Sequence, residues 1–411
     1  MEVVIDAFEQ PLVASASATL AGWNAALNEM FSFRGDPGAR LMALTENDAG
    51  FVMGLVVTTA GEILGGADPQ RAELQADLLA ADYRSRSASP RERNHVEALI
   101  TMVEGNFTQA AQRWDAIAAA HPHDLIAIRM AHDLYLHVGD SPRRLQSSQR
   151  AAQNWTLASP GQSWVNGELA FAFEESGHFA EAEEKGLAAL AADPDDAWAL
   201  HALAHVYESQ QRHQDAMDLL TSTQDRWETQ NLFSTHLIWH LAIRLIASGE
   251  ITAALAVFDD EIQKAERGFA FADLTSLIWR AELAGYEVGD RWQQVADCWA
   301  TVDEHHHSAF LDVHASMAFA TCPESPAARQ FWVTLEKSHN ALHCENDEIF
   351  AQVVKPLGEG FRQYRNFDGQ TADALSAVFP ALQSMGGSVV QRQVVKMTQR
   401  AAKEQAESIK E

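Results

Sequence analysis

SWVNGELAFAFEESGHFAEAEEKGLAALAADPDD, residues 163–196, reads as one complete helical hairpin. A first helix runs into a turn at Ser176-Gly177-His178-Phe179. A second helix, rich in Ala and Leu, stops at Asp193-Pro194, because proline has no N–H to continue it. Small residues (Ala172, Ala182, Ala189) stand where two helices must approach closely. The same plan recurs upstream in RERNHVEALITMVEGNFTQAAQRWDAIAAAHPHD, residues 91–124, with its Gly-aromatic turn (Gly105, Phe107) and terminal Pro122 and Asp124. The period is close to the ~34 residues of tetratricopeptide repeats.

Working outward, further first helices are expected at Leu125, near Ala197, near Phe271 and at Ala309, and a whole repeat is expected over roughly 234–266 with its turn at Gly249-Glu250. Trp292–Val302 is expected as the partner of the Phe271 helix, and the fourth hairpin closes with a helix around 215–228. Region 345–379 repeats the plan loosely around Asn366-Phe367-Asp368-Gly369. No such hairpin buries its apolar face alone, so stacking must supply the core. The fold class is therefore all-α: a tetratricopeptide-like superhelix of helical hairpins. Residues 1–89 are expected to form a helical cap, with a turn near Arg34–Pro37 and a polar break at Ser85–Pro90. Repeats fill 90–387, and 388–411 forms a C-terminal capping helix with a charged, frayed end.

The net charge is −27, from 57 acidic against 30 basic residues. Nucleic acid and anionic membrane surfaces would repel such a chain. No uninterrupted apolar run approaches the ~18 residues of a membrane span. MEVVIDAFEQ carries acids where an export leader needs basic residues, so none is expected. Cys298, Cys322 and Cys344 are too few and scattered for a disulfide framework, which points to free thiols and a cytoplasmic setting.

The candidate chemistry lies in histidines. His201/His205 and His236/His240 are two H-x-x-x-H pairs, one repeat length apart. Residues four apart on a helix share a face, and equivalent helices of successive repeats line one side of a superhelix. Four imidazoles should therefore converge from adjacent hairpins. Neutral imidazole is the commonest ligand for zinc and other transition metals. The plain alternative is a duplicated packing histidine. Other polar residues on first helices are His95, His132, Glu168, Asp273, Arg280, Asp312 and His314. Ala202 and Leu237 follow the first His of each pair, so the built-in Glu of the H-E-x-x-H motif is absent. Glu168, Glu208, Asp312 and His314 are the candidate acids and bases, with Glu208 also a possible ligand or orienter. Trp279-Arg280 is a candidate clamp for a ligand carboxylate, with Asp273 beside it. The run Glu304-His305-His306-His307 is expected to be a loop with at most one His turned inward.

Several segments resemble the tetratricopeptide repeat protein 38 family: AFAFEESGHFAEAEEKGLAALAADPDDAWALHALAHVYE, HLIWHLAIRLIASGEITAALAVFDDEI, DLTSLIWRAELAGYEVGDRW and GGSVVQR. The resemblance covers about 90 to 390 and matches His201, His205, Glu208, His236, His240, Asp273, Arg280, Asp312 and His314. It implies an all-α repeat fold in a cytosolic protein and adds little on activity. Val389 and Gln393 stand where the family carries His and Asp, which argues against a site role for this segment.

Two functions follow. The first is a metal-dependent enzyme, with zinc or iron on the four histidines and an amide-type small molecule hydrolysed; iron-based redox chemistry is its variant. The second is a non-catalytic scaffold that holds a peptide or protein in the groove. No nucleic-acid or membrane partner is expected. The sequence leaves the oligomeric state open, a homodimer included.

Overall fold

The computed structural model describes residues 2–15, 17–156, 158–231, 233–266 and 268–408. Residues 409–411 of the expected charged tail lie outside them. The chain opens on an antiparallel pair of strands, β1 (Glu2–Ile5) and β2 (Pro11–Ala14), where only helix was expected. EVVI and PLVA are too short for a strand period to show within a helical reading. Four helices complete the cap: α1 (Ser17–Phe31), α2 (Pro37–Asn47), α3 (Met53–Leu64) and α4 (Ala72–Ser85).

The hairpins then follow the turn chemistry. Ser89 caps α5 (Pro90–Val103) in a capping box with Glu92, and α6 (Phe107–Ala120) returns. Asp124 caps α7 (Leu125–His137) and Asp140 caps α8 (Ser141–Ala152). Next come α9 (Gln162–Glu175) with α10 (Phe179–Ala192), and α11 (Ala197–Ser209) with α12 (His213–Ser222). The expected 215–228 helix is thus broken, and its end forms a separate turn, α13 (Gln224–Trp227). After them come α14 (Phe233–Ala247) with α15 (Ile251–Glu261), and α16 (Gly268–Leu283) with α17 (Arg291–Trp299). Then α18 (Ala309–Thr321) pairs with α19 (Pro326–Lys337), a helix the sequence reading left unassigned. The loose last repeat is α20 (Glu345–Ile349), a π segment (Phe350–Val354), α21 (Lys355–Arg365) and α22 (Thr371–Val378). A 3-10 turn (Phe379–Met385) leads to α23 (Val389–Ser408).

Left-handed glycines supply the turns: Gly105, Gly139, Gly177, Gly249 and Gly285 all have positive φ. Within α9, Gly167 lets α11 approach, since a Cβ there would sit 3.3 Å from the backbone nitrogen of Ala199.

The superhelix does not remain open. The amide of Asn346, at the start of α20, bonds the Gly105 carbonyl (3.2 Å) between α5 and α6. The Thr108 amide bonds Glu345 (2.6 Å), and the Asp68 amide bonds Glu304 (2.8 Å). A Cβ on Gly139 would collide with the Gln383 carbonyl oxygen at 2.3 Å. Early hairpins therefore lock against late ones. α23 is no end cap. It packs against the inner, first helices of earlier hairpins: Arg280 of α16 donates to the Val390 carbonyl (2.6 Å), and Trp279 donates to Thr398 (2.8 Å). Among the described residues, no helix is long and apolar enough to cross a membrane.

Candidate metal centre

α11 and α14 carry the four histidines. Asp196 starts α11 by accepting the Ala199 amide (2.9 Å). Alanines 197, 199, 202 and 204 keep α11 thin, so neighbours close on it from both sides and nearly all of it is buried. The i, i+4 spacing then turns His201 and His205 toward His236 and His240.

The four rings meet. Centroids lie 4.4 Å apart for His201–His205, 4.6 Å for His205–His240, 4.8 Å for His236–His240 and 4.9 Å for His201–His236. Each ring offers one nitrogen such that all four lie within 4.8 Å of one another. The Nε2 atoms of His201 and His236 are already 3.0 Å apart. A tetrahedral ion with Zn–N near 2.0–2.1 Å needs neighbouring nitrogens about 3.3 Å apart, so the His201–His236 pair already stands near ligand spacing and the remaining nitrogens, within 4.8 Å, would draw in around the ion. Phe171 stacks on His201 and Trp239 on His236, which restricts ring rotation.

His201, His205 and His240 are buried, and His236 alone reaches the edge, its side chain 16% exposed. Burial holds His201 and His240 well below the ordinary imidazole range, and neighbouring imidazolium charge would press the same way. Burial brings His205 to about 3. All three are thus neutral imidazoles near pH 7, the form that ligates metal. Five of their six ring nitrogens (His201 Nδ1 and both nitrogens of His205 and of His240) have no hydrogen-bond partner among the described residues.

Asp273 of α16 orients His236, with Oδ2 2.8 Å from Nδ1. That is a carboxylate–histidine arrangement, and it leaves Nε2 as the inward atom. Gln391 of α23 approaches Asp273 Oδ1 at 3.5 Å. Glu174 and Glu175, at the end of α9, face His205. Glu175 accepts the Val389 amide (2.6 Å) and Arg392 (3.1 Å). The C-terminal segment therefore does reach the site, where Val389 and Gln393 had cast doubt on it: it contributes the Val389 amide, Gln391 and Arg392.

The other candidates are not brought together with the four histidines. Glu168 is clasped by Arg129 (3.2 Å) and Arg144 (3.0 Å). Burial opposes its ionisation, but Arg129, His132 and Arg144 bring its carboxyl to about 2. Glu208 pairs with Arg244 in the interior; burial still raises its pKa. Asp312 accepts from His306 (2.7 Å) and lies 3.5 Å from His305. Two histidines of the 305–307 loop therefore turn inward onto one acid, where at most one was expected. His314 donates Nδ1–H to the Phe310 carbonyl (2.8 Å), and burial lowers it to about 4. Arg280 spends its donors on Ser276 and the Val390 carbonyl and is no open clamp. His95 is fixed between Asp124 (2.9 Å) and the Trp114 N–H (3.0 Å).

Sequence reading missed Glu174, Glu175 and Arg392. A signal was present: Glu174 stands one repeat before Glu208, at the same place in the hairpin. Before the turn SGHF it looked like a solvated helix end.

Fold and site together define an all-α, tetratricopeptide-like repeat protein with a histidine cage near its centre. No family model matches the chain. It is similar to a solved Rap protein complexed with competence and sporulation factor, at 12% identity over 82% of this chain and 99% of that one, with a TM-score of 0.43. A likeness that low carries no argument about activity.

Proposed function

We propose that the protein is a non-catalytic repeat scaffold built around a divalent transition-metal ion, zinc or iron, held by His201, His205, His236 and His240. The carrying observation is the set of five unpartnered ring nitrogens on three buried, neutral imidazoles. Each buried polar atom left unmade costs roughly 1–3 kcal/mol, and one ion would satisfy several of them at once. The donor set suits zinc, iron, nickel or copper more than magnesium or calcium, which prefer oxygen.

The reading as a hydrolase is weaker. Four protein ligands close a tetrahedral site, whereas catalytic zinc keeps a position open. Glu168, Glu208 and Asp312 are engaged with arginines or histidines, so none stands free as a base. The partial exposure of His236 is the one feature that favours an accessible ion and an enzymatic second reading. A peptide or protein partner fits the scaffold reading, but α23 lies across the inner side, so a partner would displace it or use another face. Membership of the tetratricopeptide repeat protein 38 family belongs to the same proposal, supported by the order and spacing of its segments.

Elemental analysis after chelator-free purification tests the centre. About one equivalent of transition metal per chain is expected, lost in a His205→Ala/His240→Ala variant. Sub-stoichiometric metal that added zinc or iron(II) does not restore would overturn it.

A further inference from the structure

The buried acid pair beside His205 has no role in the cage as described. Glu174, Glu175 and His205 lie close enough to suggest a second ion site. Their hydrogen bonds argue otherwise. Both oxygens of Glu175 are taken, one by the Val389 amide and one by Arg392. Ser209 donates to Glu174 Oε1 at 2.7 Å. One carboxylate oxygen remains, Glu174 Oε2, and it has no partner among the described residues. It lies 3.6 Å from His205 Nδ1, and both side chains are fully enclosed. One oxygen and one ring nitrogen are too few donors for an ion next to the Arg392 guanidinium.

We infer that Glu174 is the positioning residue of His205: its Oε2 accepts the His205 Nδ1–H and so leaves Nε2 as the atom offered to the cage. The inference rests on the metal reading above. The gap of 3.6 Å is longer than a hydrogen bond, and a small ring rotation closes it once Nε2 is anchored. The arrangement mirrors Asp273 on His236, so each helix of the pair has one ligand steered by a carboxylate from a neighbouring helix. Ser209 holds the Glu174 carboxyl in place, and Glu175 is kept out of the role by α23.

The test uses full-length wild type, Glu174→Gln and Glu174→Leu, with cobalt(II) as probe and zinc competition for affinity. Wild type should bind one cobalt with the intense visible absorption of a tetrahedral site. Glu174→Leu should bind about 10–100-fold more weakly with an unchanged band shape. Glu174→Gln keeps an acceptor and should fall between. The metal-free Leu variant loses the Ser209 bond along with the unpartnered oxygen, but Ser209 is only half-buried and can turn to water, so its thermal midpoint should fall far less than its cobalt affinity. Equal cobalt affinity in wild type and Glu174→Leu overturns the inference. So does a loss matched by an equal loss of metal-free stability, or an altered spectrum, which would make Glu174 a ligand. If wild type binds no cobalt, the metal reading itself falls, and this inference with it.

Discussion

Single residues here carry unusual burdens for a repeat protein. Asp196 caps α11 and is 2% exposed, with Oδ2 unpartnered. Burial pushes its carboxyl up to about 7, despite the amides of Ala199 and Trp198, which favour the anion. The fold therefore favours the protonated acid. That contribution is complete below the ordinary carboxyl value near 3.8 and is lost as pH rises through 7. Asn caps a helix as well as Asp. Asp196→Asn should match wild type in urea near pH 4 and exceed it at pH 9 by a few kcal/mol, about 1.4 kcal/mol for each pH unit between 3.8 and 7. An unchanged difference across that range would show that Asp196 ionises freely. The histidine pairs were legible at this scale because i, i+4 spacing and the repeat period fix both face and neighbour. Glu174 was not, because its burial comes from α11 and α23, and nothing local in FEESGH announces them.

At the scale of elements, the turns were the readable part. Gly105, Gly177 and Gly249 occupy left-handed backbone where sequence placed breaks. The misses have physical causes. β1 and β2 are four residues each, too short for a period to show. α19 begins at Ser325-Pro326, a good cap, but buries only Ala328, Phe331 and Leu335, while Trp332 and Val333 break the one-sided pattern. α23 has the pattern of an amphipathic end helix, and only tertiary contacts send it inward. Its Arg392 neutralises Glu175 in the interior, both side chains nearly inaccessible. Removing one partner of such a pair leaves an uncompensated charge at about 3–5 kcal/mol. Arg392→Ala should therefore lower stability by that order in urea unfolding. Glu175→Gln/Arg392→Met should recover most of the loss. If the single variant is neutral, Glu175 is already uncharged in the fold.

At the scale of the molecule, the locked hairpins set this chain apart from an open solenoid. Stability in an open array is a sum of neighbouring terms, and its ends fray independently. Here α6 is bonded to α20, the 65–68 loop to Glu304, and α9 to α23. Calorimetry should show one transition, with van't Hoff and calorimetric enthalpies equal. Gly139→Val, which drives a side chain into the Gln383 carbonyl and strains a φ of +73°, should lower the midpoint and split that transition. Two resolved transitions in wild type would mean the contacts between early and late hairpins contribute little. Open arrays change length readily, gaining or shedding a module with little penalty. A chain whose first and last modules clasp each other has no such freedom: one hairpin more or fewer would carry Gly139 away from Gln383 and part α9 from α23, so its module number is fixed by geometry, like the staves of a cask.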